Sequence, residues 1–135
     1  MQIHHVGYLV KNIEDSIQDF QKLGYEMSSP RFFDESRKIF IQFMRGKMGG
    51  GRGIIDIELI MPAEGCTLFS KRLKNFAPTP YHICYECKNI EEKISTLREA
   101  GFILIREPQV APAFENRRVA FLYSESAGQI ELLEI

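Results

Sequence analysis

Two stretches of the chain carry apolar residues at helical spacing, and each follows a short β-branched and aromatic run that alternates as a strand does. Residues 3–10, IHHVGYLV, predict the first strand. Asn12 then caps a helix in which Ile13, Ile17, Phe20 and Leu23 form one face, Glu14 and Asp15 occupy the first turn, and Gly24 ends it. The signals recur past residue 81: Asn89 as cap, Ile90, Ile94, Leu97 and Ala100 as the stripe, Glu91 and Glu92 in the first turn, Gly101 as the stop. Extended runs follow each helix, around 25–28, 37–45 and 54–61 and again around 102–106, 117–123 and 128–134. The order strand, helix, strand, strand, strand therefore occurs twice, which predicts an α+β fold of two tandem βαβββ modules.

The repetition extends to single residues. HHVGYLVKNIEDSIQDFQKLGYEM (4–27) aligns without a gap on YHICYECKNIEEKISTLREAGFIL (81–104), placing His5 on His82. After a short slip, DIELI (56–60) matches QIELL (129–133), placing Glu58 on Glu131. An internal repeat governs the whole fold, and this one divides a single domain of residues 1–135 into a module of about 3–61, a linker of 62–80 and a module of 81–135. The linker is bounded by prolines and predicts a short helix around 68–74. Packing of the modules within one chain and their exchange with a second chain both stay open.

Strand parity sorts the faces. Val6, Tyr8 and Val10 are the apolar partners the first helix needs, so His5 faces away from it. By the repeat His82 does the same, and so do Glu58 and Glu131, while Ile57, Leu59, Ile130 and Leu132 cover the helices. Two imidazoles and two carboxylates are then expected on one face, related by a pseudo-twofold axis. His4 falls on the opposite face.

Composition narrows the partners. With 135 residues, 44% of them hydrophobic, and a net charge of −1, the chain can bury one compact core and offers no long basic run for nucleic acid or an anionic membrane. No apolar stretch reaches the length of a membrane span, and the first residues lack the features of a signal peptide, so a cytoplasmic location is expected. Three cysteines fit reduced thiols better than a disulfide framework.

The segments HHVGYLVKNIEDSIQDFQKLG, YHICYECKNIEEKISTLREAGF and RRVAFLYSESAGQIELLE resemble the vicinal oxygen chelate superfamily, especially its glyoxalase I and methylmalonyl-CoA epimerase branches. The resemblance covers nearly the whole chain. It implies a curved mixed sheet forming a cup around a divalent metal (zinc, nickel, cobalt, manganese or iron), with His5, Glu58, His82 and Glu131 as ligands. Such a set leaves octahedral positions for substrate oxygens, which suits catalysis. The implied activity is that of a lyase or isomerase of the lactoylglutathione lyase kind, acting through an enediolate on a small α-hydroxy or α-keto carbonyl compound or its thiol adduct. Glu131 or Glu58 would carry the proton. A homodimer and a small-molecule substrate with a thiol or CoA handle are the expected partners.

Three alternatives remain: a CoA-thioester epimerase, an iron-dependent extradiol dioxygenase, which would not need Glu58, and a metal-free drug-binding protein, which would need none of the four ligands. The epimerase pattern adds a non-ligand glutamate on a middle strand, where RKIFIQFM offers Gln42, an amide that cannot act as a base. Gln42, with Phe40 and Met44 on its face, is expected to line the substrate cavity. Arg45 and Arg52, near the glycine run at 49–53, are candidates to grip an anionic handle. Cys84 and Cys87 read as a CxxC string, but strand parity sends them to opposite faces.

Overall fold

The computed structural model of the chain describes residues 1–46 and 54–135, so Arg52 and the glycine run at 49–53 lie outside the described residues. The chain forms two compact units, Val6–Pro80 and Met1–His5 with Tyr81–Ile135. The boundary falls inside the first strand, β1 (Ile3–Leu9), just after His5.

The unit Val6–Pro80 holds the rest of β1, helix α1 (Ile13–Lys22) and strands β2 (Tyr25–Met27), β3 (Phe32–Asp34), β4 (Ile39–Gly46) and β5 (Asp56–Pro62), then the short helix α2 (Lys71–Phe76). β4 pairs antiparallel with β2, β3 and β5, and the Val10 N–H donates to the Ile60 carbonyl at 2.9 Å. The Asn12 side chain accepts from the Asp15 N–H at 3.1 Å, satisfying one of the donors a helix start leaves open. Val10, Ile13, Ile17, Met44, Ile57 and Leu59 form the core, with Val6, Tyr8 and Phe20 packed against it, so the parity expected of β1 and β5 holds. Leu23 does not join that stripe; as the C-cap residue it has left helical geometry and is 73% exposed.

The other unit contains, from Tyr81 on, β6 (Thr79–Cys87), then α3 (Ile90–Glu99), β7 (Ile103–Ala111), a 3-10 turn (Pro112–Phe114), β8 (Arg117–Ser124) and β9 (Gly128–Glu134). Its strands run in the order β6-β9-β8-β7, and the first residues of the chain join it through the Glu86 N–H donating to the Gln2 carbonyl at 2.9 Å. β6 and β9 are parallel and the other two pairs antiparallel, which makes the sheet mixed. Ile90, Ile94, Ala120, Leu122, Ile130, Leu132 and Cys87 form the core under α3, with Leu97 beside it. Asn89 caps α3 through the Glu92 N–H at 3.0 Å. Ala100, like Leu23, is the C-cap residue and is exposed. After both helices the glycine lies at positive φ, +92° at Gly24 and +94° at Gly101, a conformation costly for any residue with a Cβ.

Three elements depart from the expected order. β3 and the 3-10 turn are additional, and β7 continues to Ala111 where the alternating pattern predicts an end near residue 106. Among the described residues no helix is long and apolar enough to cross a membrane.

Candidate metal centre

In β6 and β9 alternate side chains leave α3 and turn to the opposite face. Cys87, Ile130 and Leu132 pack under the helix. Cys84 lies directly across from Glu131, and His82, two residues before Cys84, shares their face. His5, at the end of the β1 segment that belongs to this unit, completes the group.

His5, His82 and Glu131 are 0%, 3% and 2% exposed. Their functional atoms form a nearly equilateral triangle. His5 Nε2 and His82 Nε2 are 3.1 Å apart, and Glu131 Oε2 is 3.2 Å from each. Two ligand atoms about 2.1 Å from one ion and at right angles to each other lie roughly 3.0 Å apart, so the triangle has the edge length of one octahedral face. Among the described residues Glu131 Oε2 accepts no well-aligned hydrogen bond despite its burial, as expected for an atom whose lone pair is directed at an ion. Burial raises the tendency of Glu131 to hold a proton, but the imidazole nitrogens of His5 and His82, each 3.2 Å from Oε2, outweigh it and hold the carboxyl below the usual carboxylate range. The donor set of two imidazoles and one carboxylate fits a divalent cation of the first transition row.

Aromatic rings support the imidazoles. Phe114 stacks on His5 with centroids 5.6 Å apart and planes at 16°, while Phe121 meets His82 edge-on at 5.6 Å and Tyr81 meets it at 4.5 Å. His4 sits behind the triangle: its Nδ1 lies 2.9 Å from His5 Nδ1, so the strand's parity keeps it out of the triangle but not away from His5. Ligand-type atoms of His4, His5 and Cys84 also lie within 4.8 Å of one another.

Glu58, on β5 of the unit Val6–Pro80, is 3% exposed and lies directly across from Phe43. Glu131 likewise lies across from Phe121. This pairing of each glutamate with a phenylalanine is a further repeat. It is hard to see in the sequence because the β4–β5 connection is longer than the β8–β9 hairpin.

The expected cavity lining from β4 needs correction. Met44 is fully buried in the core under α1 and Phe40 packs against that core, because their cross-strand partners Ile57 and Met61 face the helix. Gln42 shares their parity; its amide nitrogen donates to the Ser29 carbonyl at 2.7 Å and its oxygen accepts from Arg31 Nε at 3.3 Å. The face of β4 that carries Phe43 presents Ile39 and Ile41 instead. Arg45 pairs through two nitrogens with Asp56, at 3.0 and 2.8 Å. Cys66, Cys84 and Cys87 form no disulfide among the described residues, and Cys84 and Cys87 lie on opposite faces as parity requires.

A family model described as the Glyoxalase/Bleomycin resistance protein/Dioxygenase superfamily matches residues 4–121. Among solved structures, a hypothetical protein from Bacillus halodurans C-125 is similar at 25% identity, with 99% of this chain and 94% of that chain covered and a TM-score of 0.80. A serine-to-threonine variant of Streptomyces coelicolor methylmalonyl-CoA epimerase, in complex with 2-nitronate-propionyl-CoA, is similar at 16% identity, with 99% and 94% covered and a TM-score of 0.81. Methylmalonyl-CoA epimerase from Mycobacterium tuberculosis is similar at 20% identity, with 98% and 86% covered and a TM-score of 0.77. No curated protein matches by sequence.

Proposed function

The chain belongs to the Glyoxalase/Bleomycin resistance protein/Dioxygenase superfamily, and from that premise we propose that it is a divalent-metal-dependent enzyme that moves a proton on the carbon beside a carbonyl group. The observation that carries this is the buried triangle of His5 Nε2, His82 Nε2 and Glu131 Oε2, a ligand set with the right edge lengths and no apolar explanation. Glu58, buried on β5 at the position equivalent to Glu131, is the proposed fourth ligand.

Once bound, the ion would supply Lewis-acid stabilisation of the negative charge that develops on the carbonyl oxygen. The residues do the rest. With His5 Nε2 reserved for the ion, its proton sits on Nδ1 and is donated to His4 Nδ1, fixing the ring's tautomer and orientation. Phe114 and Phe121 keep water from the imidazoles. Glu131 or Glu58 takes the proton from the substrate carbon and returns it.

Two substrate classes follow. Likeness to the epimerases, which in one case hold a CoA thioester analogue, supports a CoA-thioester epimerase. A specific observation supports the other, a glyoxalase-type lyase or isomerase acting on an α-keto carbonyl compound or its thiol adduct. Epimerisation requires a base on each side of the carbon, and the β4 face that carries Phe43 offers Ile39 and Ile41, with Gln42 turned to α1. Metal-loaded protein assayed with methylmalonyl-CoA, and separately with methylglyoxal and several thiols, decides between them. Glu131→Gln should retain most metal and lose turnover by roughly 10² to 10⁴, the effect of removing a general base. Wild-type turnover in that variant would assign the proton to Glu58, and wild-type turnover in both single glutamine variants would overturn the mechanism.

A further inference from the structure

β7 ends the strand order of its unit, and its pairing with β8 is interrupted twice, between Leu104 and Arg106 and between Arg106 and Gln109. Ile103 lies across from Tyr123 and Leu104 from Leu122, but the next paired residue, Arg106, lies across from Phe121, leaving Ile105 as an extra residue in β7. Plain alternation would turn Arg106 to the side of Leu104, which packs under α3. The extra residue turns it over. Residues directly opposite in a ladder share a face, so Arg106 stands with Phe121, and Phe121 stands with Glu131. Cys84, Glu131, Phe121 and Arg106 thus form one row across β6, β9, β8 and β7.

Two strand spacings separate Glu131 from Arg106, roughly 10 Å between their backbones, a span that one small substrate can bridge. Arg106 is half-buried, while its neighbours Ile103 and Ile105 are 61% and 50% exposed. Arg106 therefore stands at the outer end of a row that leads inward to the buried triangle. Bulges re-aim single side chains beside functional sites, and here two flank one cation.

We propose that Arg106 binds a carboxylate of the substrate, which makes the substrate an anionic carbonyl compound whose charged group lies a few bonds from the reacting carbon. The planar fork of an arginine matches a carboxylate through two parallel hydrogen bonds. The assignment rests on the metal centre proposed above, and the test separates the two. Zinc-loaded protein is titrated calorimetrically with 2-oxoglutarate and with 2-oxovalerate. These share chain length and an oxo acid able to chelate an ion, and differ only in a terminal carboxylate against a methyl group. The wild type should bind 2-oxoglutarate roughly ten- to a hundredfold more tightly, the range for a charge-assisted hydrogen bond. In Arg106→Gln that ratio should fall to about one, with zinc content and 2-oxovalerate affinity unchanged, and Arg106→Lys should recover part of it, as a point charge does. Equal affinities in the wild type, no measurable binding of 2-oxoglutarate, or a ratio that survives in Arg106→Gln would overturn the assignment. Failure of the wild type to take up zinc would instead overturn the centre, and the same two ratios in metal-free protein would then decide the role of Arg106.

Discussion

Replacing Leu132 by alanine separates the two faces of β9. Leu132 is 0% exposed in the core under α3, and its neighbour Glu131 belongs to the triangle on the other face. The substitution removes the equivalent of three buried methylene groups, about 2.4 kcal/mol at 0.8 kcal/mol each. A cavity term of about 24 cal/mol per Å³ of unfilled space adds to that, which brings Leu→Ala changes at such sites to about 2.7–5.0 kcal/mol. For a chain of this size the midpoint of thermal unfolding should drop by roughly 10 °C or more. Urea denaturation gives the free energy, and metal content of the folded variant gives the other face. Stability should fall by about 3 kcal/mol while metal uptake is retained. A loss below about 1 kcal/mol, or loss of metal from protein that is still folded, would refute the two-face reading of β9.

Other expectations concern the supports of the fold. Asn12→Ala and Asn89→Ala should each cost about 1 kcal/mol by removing a helix cap, additively because they lie in separate units, as measured by denaturant melts of the single and double variants. Glu134 accepts from Arg118 and from the Ile90 N–H at the start of α3, and these bonds, Arg118 first, hold its carboxyl below the usual range. A depressed folded-state value contributes stability above the ordinary value of about 4.3 and loses it as pH falls through the folded value. The melting point of Glu134→Gln should therefore trail the wild type at pH 7 and converge with it in acid; a gap that persists unchanged at low pH would contradict the assignment. Cys87 is pushed up by burial under α3, so a thiol reagent should modify Cys66, which is partly exposed, before Cys87; mass mapping of the labelled peptides reads the order.

Much of this architecture was legible because the repeat repeats its signals. Asn12 and Asn89, Gly24 and Gly101, and the alternation around His5, His82 and Glu131 are local features, each with a physical reason to occur where it does. Parity failed where the ladder is irregular or its direction unknown. Nothing in RKIFIQFM says which of its two apolar faces meets α1; both are buried, and the one with Phe40, Gln42 and Met44 proved to be the one under the helix. Arg106 looks like a residue of the α3 side until the register of β7 against β8 is known, since a bulge leaves no mark in a sequence of this kind. Phe114 lies on a turn with no counterpart in the first copy, so the repeat could not point to it. Strand alternation turns His4 away from His5's face, but it fixes only where a side chain leaves the backbone and not where a ring nitrogen ends.

The central claim is that the buried imidazoles and carboxylate are ligands. Metal-free protein equilibrated with excess zinc, freed of unbound ion and analysed for metal tests it directly, with His82→Ala and Glu131→Ala alongside. One ion per chain in the wild type, and little or none in folded His82→Ala and Glu131→Ala, is the predicted result. A wild type that retains no ion, or a folded His82→Ala that retains a full equivalent, would contradict it.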